Sequence, residues 1–186
     1  MKKTIKEFIK EIVPVVVGIL IALWINDWND DRKDRAYIDQ IFKSIQKELR
    51  ETDEDIVAKI ALQQTLVDTL NHYLNDSTVS LGEIVSKSTG IYMPGIRISS
   101  WKALSNTRIE LVDYDKLSAL ATIEETKEVL KMQAEKMVDI LFLNAEDTGA
   151  EKKELMKISM LSIMGNEKSL QEDIQKVIKN PPHQSL

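Results

Sequence analysis

The chain has 186 residues, a formal net charge of −5, two His and no Cys. The mild acidity argues against nucleic-acid binding, which usually shows a clustered basic face. Without Cys there can be no disulfide framework, a composition that fits either side of a membrane.

The first element is the segment Ile12 to Ile25, IVPVVVGILIALWI, in which ten of fourteen residues are Ile, Val or Leu and none is charged. As a helix it covers only about 21 Å, short of the roughly 30 Å hydrocarbon core. Extending it from Phe8 to Trp28 gives about 31 Å. The polar residues of that extension, Lys10, Glu11, Asn26 and Asp27, all lie near its ends. Lys10 can snorkel, and Trp24 and Trp28 suit an interfacial aromatic belt. Ten aliphatic residues contribute on the order of −3 to −6 kcal/mol to insertion. Pro14 lies near the start, where a missing N–H does least harm. The apolar residues surround the whole helix, as expected of a single-pass transmembrane helix.

Retention is expected over cleavage. Ala22-Leu23-Trp24 puts a Trp where a signal peptidase site needs a small side chain, so the segment reads as an uncleaved signal anchor. Lys2, Lys3, Lys6 and Lys10 before the span are balanced by Arg32, Lys33, Arg35 and Lys43 after it. Long domains translocate with little regard to charge, so the expectation is a short N-terminus inside and the large domain outside.

The same helix presents a second feature. At 100° per residue, Gly18, Ala22, Asn26 and Asn29 fall on one face less than about a quarter-turn wide, with Trp24 and Trp28 elsewhere. Small-xxx-small steps let helices approach closely, and amides can hydrogen-bond across the contact. This is the candidate membrane-helix contact face. The alternative is that the small residues are incidental and the two Asn merely wet.

From Asp30 onward Ile38, Ile41, Phe42, Ile45 and Leu49, then Ile56, Ile60, Val67, Leu70 and Leu74, recur at helical steps. With no Gly or Pro between Gly18 and Gly82, one helix is expected from the membrane to about Asn75, with room for a gentle break near Glu51 to Asp55. Asn75-Asp76-Ser77 signals a turn. Leu81 to Lys87 reads as a short helix and Ser88 to Ile98 as a loop. Ser99 or Ser100 can cap a helix carrying Trp101 and Leu104. Arg108 to Val112 is extended or helical. Asp113 or Asp115 starts a long helix to about Glu146, lined by Leu117, Leu120, Ile123, Val129, Leu130, Met137, Ile140 and Leu141. Thr148-Gly149 breaks it. A helix from Ala150 to Met164 is expected to stop at Gly165, with Asn166 capping a last one to Lys179. The tail 180–186, with Pro181-Pro182, reads as frayed.

The predicted fold is all-α: a membrane helix continuing into a long amphipathic helix, packed as a three- to four-helix antiparallel bundle. The division is anchor 1–30, bundle 31–179 and tail 180–186. Chemistry is sparse. His72 and His183 have no HExxH or comparable ligand spacing, and Glu124-Glu125 lacks a His three residues on. Met156, Met160 and Met164 repeat every four residues; a thioether stripe can bind Cu(I), but beside Leu155, Ile158, Leu161 and Ile163 it reads as bundle core. No catalytic residue, metal or cofactor is expected.

Gly18 to Asp30, GILIALWINDWND, followed by Asp31-Arg32-Lys33, resembles the N-terminal signature of a family of small bacterial single-span membrane proteins of unknown function. There an aliphatic anchor ending in Ile-Asn, a variable residue and Trp-Asn leads into an acidic residue and a basic helix. Ile25, Asn26, Trp28 and Asn29 match; Asp30 replaces the usual Glu, and Trp24 stands where Gln is frequent. Ser100 to Leu104 followed by Ile109 to Val112 resembles, less specifically, a second family segment. The strong match covers about a tenth of the chain. It implies an anchored helical envelope protein and transfers no activity. The functional expectation is therefore a membrane-anchored scaffold or accessory subunit. It would contact the lipid bilayer and either its own copies, as a homo-oligomer, or a larger membrane complex. An extracytoplasmic helical-bundle ligand sensor relaying through a partner is the alternative, and an enzyme is disfavoured.

Overall fold

The computed structural model describes residues 2–179, with side chains from residue 12 onward; the expected tail 180–186 with His183, and the Lys10 side chain, lie outside the described residues. The chain divides into two compact units, 1–41 and 42–186. Among the described residues five α-helices account for nearly all regular structure: α1 Lys2–His72, α2 Leu81–Lys87, α3 Ser99–Ser105, α4 Tyr114–Asn144 and α5 Ala150–Lys179, with a 3₁₀ turn at Ile109–Leu111. No strand occurs among the described residues.

In the first unit α1 carries a stretch long and apolar enough to cross a membrane, and none of that window is buried within the chain. Helix α1 is uninterrupted through Pro14 and through Glu51 to Asp55, where a break had room to form. Because α1 begins at Lys2, Pro14 is not near its start but inside it, where it removes one backbone hydrogen bond without ending the helix.

In the second unit three long helices form the bundle. Helix α5 runs antiparallel to α1, because Gln171 and Gln175 both donate to the Asp53 carboxylate (2.9 and 2.8 Å) while Lys157 donates to Asn71 Oδ1 (3.0 Å). Helix α4 is antiparallel to α5 too: Gln133 donates to Ser162 Oγ (3.0 Å) and accepts from Asn166 Nδ2 (2.8 Å), while Tyr114 and Asp115 at the start of α4 lie beside Asp173 and Lys176 near the end of α5. The core comes from Phe42, Ile45, Leu49, Ile56, Leu66, Val67 and Leu70 of α1, with Leu120, Ile123, Leu130 and Met137 of α4. Helix α5 buries Lys153, Met156, Met160, Ile163, Glu167, Leu170, Ile174 and Val177. Those eight positions alternate three- and four-residue steps without a fault, the a/d spacing of a bundle seam.

Two expectations are corrected here. Helix α5 does not stop at Gly165, and Asn166 caps nothing: its amide binds Gln133. Gly165 is exposed with open space around it, so its cost of about 1 kcal/mol is outweighed by a seam that continues on both sides. Neither Ser99 nor Ser100 caps α3 by its side chain; Ile98 occupies the N-cap position. The Glu48 carboxylate of α1 does the work instead, accepting from Ser100 N (3.0 and 3.2 Å) and Ser100 Oγ (2.9 Å). Trp101 is buried and donates to Glu124 Oε2 (2.7 Å), which fastens α3 to α4. The ambiguous Arg108 to Val112 stretch is a 3₁₀ turn that ends extended at Val112.

The α2–α4 junction lets two helix ends satisfy each other. Leu81 N donates to Asp147 O (2.9 Å) and Gly82 N to Ala145 O (2.8 Å), so orphan donors of one helix meet carbonyls just beyond the other. The absent side chain of Gly82 permits this: a Cβ there would lie 3.1 Å from Ala145 O.

Candidate functional site

In the first unit, the helical path of α1 through residues 18–29 keeps Gly18, Ala22, Asn26 and Asn29 on a common side by its periodicity. A Cβ on Gly18 would meet nothing within 4 Å. Trp24 and Trp28 project from the helix at 70% and 58% exposure. Asn26 is not a free amide, since its Nδ2 donates to Asp30 Oδ2 (3.2 Å) and Asp30 in turn pairs with Lys33 (3.0 Å). The remaining acceptor and second N–H of Asn26 are still available for a helix approaching that side.

In the second unit, polar groups occupy seam positions. Thr52 accepts from Arg97 N (2.9 Å) and donates back to Glu48 O (2.9 Å), tying the loop after α2 to α1. Lys153 is fully buried, and its ammonium donates to Tyr73 O (3.1 Å) and Asp76 O (2.5 Å). A cation there satisfies carbonyls just past the end of α1 and complements the helix dipole. The Asp76 carboxyl is held below its usual range by hydrogen bonds from the Thr78 hydroxyl and N–H, with Lys153 and His72 adding smaller attractions.

Glu167 differs from these, because its partners are incomplete. It is 1% exposed, and Gln63 of α1 donates Nε2 to Glu167 Oε1 (2.9 Å) and to Tyr92 O (3.1 Å). That spends both amide hydrogens and fixes the orientation of the Gln63 amide. Glu167 Oε2 and Gln63 Oε1 are then buried acceptors without a partner. Unmet buried groups cost about 1–3 kcal/mol each. Burial pushes the Glu167 carboxyl up to about 7, with the Gln63 hydrogen bond opposing it.

Glu167 also lines a cavity of about 220 Å³. Met93, Pro94 and Ile96 from the loop and Leu130 and Ala134 from α4 form its apolar wall, and Lys127 and Lys131 lie on the α4 side. The loop is shaped by a reversal at Thr89 and Gly90, both at positive φ (70° and 115°). It is pinned where Gly95 N donates to Asp55 Oδ2 (2.6 Å). A second, more open groove is bordered by Asp53, Gln171 and Gln175, which are already bonded to one another.

The sequence reading places the contact face and the aromatic belt on α1 but misses the Glu167 cavity. Expecting α5 to end at Gly165 removed Glu167 from the seam, and Ile60 stood in for Gln63 on α1. Ile60 is 39% exposed, whereas Gln63 is fully buried. The signal that could have found Glu167 is its place in the three–four spacing of α5. Met156, Met160 and Ile163 are core, as expected, but Met164 is only half-buried, and Leu155, Ile158 and Leu161 face outward at 43–55% exposure. His72 stacks edge-to-face on Tyr73, centroids 4.6 Å apart. Among the described residues no group of His, Cys, Asp or Glu could hold a metal ion.

No protein-family model, curated protein or solved structure matches the chain.

Proposed function

We propose that the chain is a membrane-anchored, single-pass scaffold or accessory subunit of a bacterial inner-membrane complex, acting through protein–protein contacts rather than catalysis. The observation that supports this best is the apolar stretch of α1, which finds no partner within the chain. Apolar surface of that extent, carrying about 3–6 kcal/mol of insertion energy, belongs in lipid. The face made by Gly18, Ala22, Asn26 and Asn29 is the contact surface for a second copy or another membrane helix. Trp24, Trp28 and Lys10 set its depth at the interface, with the bundle on the periplasmic side. The resemblance of residues 18–30 to the single-span family supports the same placement.

Paired cysteine crosslinking tests this in a chain that has no native Cys. Ala22→Cys should crosslink several-fold more efficiently than Trp24→Cys, which lies on roughly the opposite side of the helix. Equal yields at both positions would remove the face-specific contact. The ligand-sensor reading keeps its place because of one observation, the incompletely partnered Glu167 at a cavity.

A further inference from the structure

Two buried acceptors, Glu167 Oε2 and Gln63 Oε1, sit on groups already joined by one hydrogen bond of 2.9 Å. An ionised Glu167 brings no donor, and both amide hydrogens of Gln63 are spent, so the two acceptors then stay unmet. One proton changes the count. A carboxylic acid donates from one oxygen and accepts at the other, which is the complement of a primary amide. With the proton on Oε2, Glu167 accepts from Gln63 Nε2 and donates to Gln63 Oε1, and a single ring satisfies both. The other amide hydrogen of Gln63 holds Tyr92 O (3.1 Å), which forbids the flipped amide, since that would set Oε1 against a carbonyl. The ring and the loop are therefore held by one amide.

We propose that Glu167 is a proton-operated latch on the loop between α2 and α3. Protonated, it closes the ring with Gln63 and keeps that amide on Tyr92 O, so the loop is shut. Ionised, it gives its proton to solvent, leaves Gln63 and turns into the adjoining cavity toward Lys127 and Lys131. The cavity provides the second position, because its 220 Å³ holds a carboxylate and several waters at about 30 Å³ each. The stretch released is 91–94. On one side it is bounded by the reversal at Thr89 and Gly90, and on the other by Asp55, which accepts from Gly95 N (2.6 Å). Met93 and Pro94 within it form one wall of the cavity. This goes beyond the scaffold reading, and it requires neither a ligand nor a partner.

The charged and titratable groups around Glu167 are few. Helix α4 presents Lys127 and Lys131, the loop presents Tyr92, and α1 presents Asp55 and Lys59; Lys168 and Glu172 on α5 itself are exposed. The Tyr92 hydroxyl donates to Thr89 O (3.1 Å), and Lys59 lies 5.8 Å over the Tyr92 ring and 3.9 Å from Asp55. Lys131 lies 4.0 Å from Glu135, a loose surface pair that leaves its ammonium able to turn. Glu167 is the one carboxylate lining the cavity among the described residues. Burial pushes it up to about 7, so the latch is closed below that pH and open above it.

Methionine-methyl NMR of the full chain in detergent micelles tests this across about pH 5–9, with the Met93 signal assigned from Met93→Leu. In the parent that signal should pass from one limit to another with a midpoint near about 7. Glu167→Gln keeps the ring with no proton to lose, since its amide supplies the same donor and acceptor. It should hold the Met93 signal at the low-pH limit throughout. His72 and His183 are intact in that variant, so a titration arising from either would persist. The double variant Lys127→Gln, Lys131→Gln leaves the ring untouched and should raise the midpoint by about half a unit or more, because the ionised side chain loses its cationic neighbours. A Met93 signal that does not move across the range overturns the latch, as does a titration that survives in Glu167→Gln. An unchanged midpoint in the lysine double variant overturns the cavity as the second position of the carboxylate.

Discussion

A buried carboxylate whose proton is held near neutrality makes stability depend on pH in a defined direction. Glu167 moves from an ordinary 4.5 to about 7 because burial disfavours its charge more than Gln63 relieves it. Between those values the folded chain binds a proton that the unfolded chain does not, so stability falls as pH rises. The loss begins near pH 4.5 and is complete above about pH 7, amounting to on the order of 3 kcal/mol. Glu167→Gln removes the titration and keeps the shape. In urea melts the variant should be more stable than the parent at about pH 8, and that advantage should vanish or reverse at about pH 4.5. Parallel stability curves for the two proteins across this range would show that Glu167 keeps an ordinary pKa.

At the scale of the elements, the disagreement over α5 is the informative one. Gly165 reads as a stop because a glycine commonly ends a helix, and Asn166 beside it resembles a cap. The chain continues because Met160, Ile163, Glu167 and Leu170 all stay on one buried seam. Ending the helix there would forfeit the burial beyond it. Gly165→Ala distinguishes the two arrangements. In a continuous exposed helix, with open space at the Cβ, alanine should stabilise by about 0.5–1 kcal/mol. At a true helix end with positive φ it would destabilise, and a lowered urea midpoint would show that. Where local chemistry and burial agree, the sequence is read correctly to the residue. Helix α2 occupies Leu81–Lys87 as expected, because Ser80 and Glu83 form a reciprocal capping box (3.3 and 2.8 Å). Where a partner distant in the chain supplies the cap, as Glu48 does for α3, spacing along the sequence carries no sign of it. Gln63 and Glu167 escape for a related reason. Apolar periodicity finds a seam through its Leu and Ile, and passes over polar residues whose burial depends on each other 104 positions apart.

For the whole molecule, the distribution of the core separates two requirements. Every buried hydrophobic residue among those described lies at or beyond Phe42, while the exposed aliphatic run from Ile12 to Ile25 contributes none. The bundle's apolar burial is thus complete without the N-terminal segment, whose own apolar surface needs lipid or another helix. These two demands should be separable by truncation. A chain lacking residues 1–31 should remain in solution without detergent and keep the helical circular dichroism of α2, α4, α5 and the rest of α1. Its thermal midpoint should stay within a few degrees of that of the full chain, since no buried hydrophobic residue among those described is deleted. Crosslinking through the Ala22 face should be lost with the segment. A truncated chain that unfolds or aggregates would mean that the N-terminal segment takes part in building the bundle.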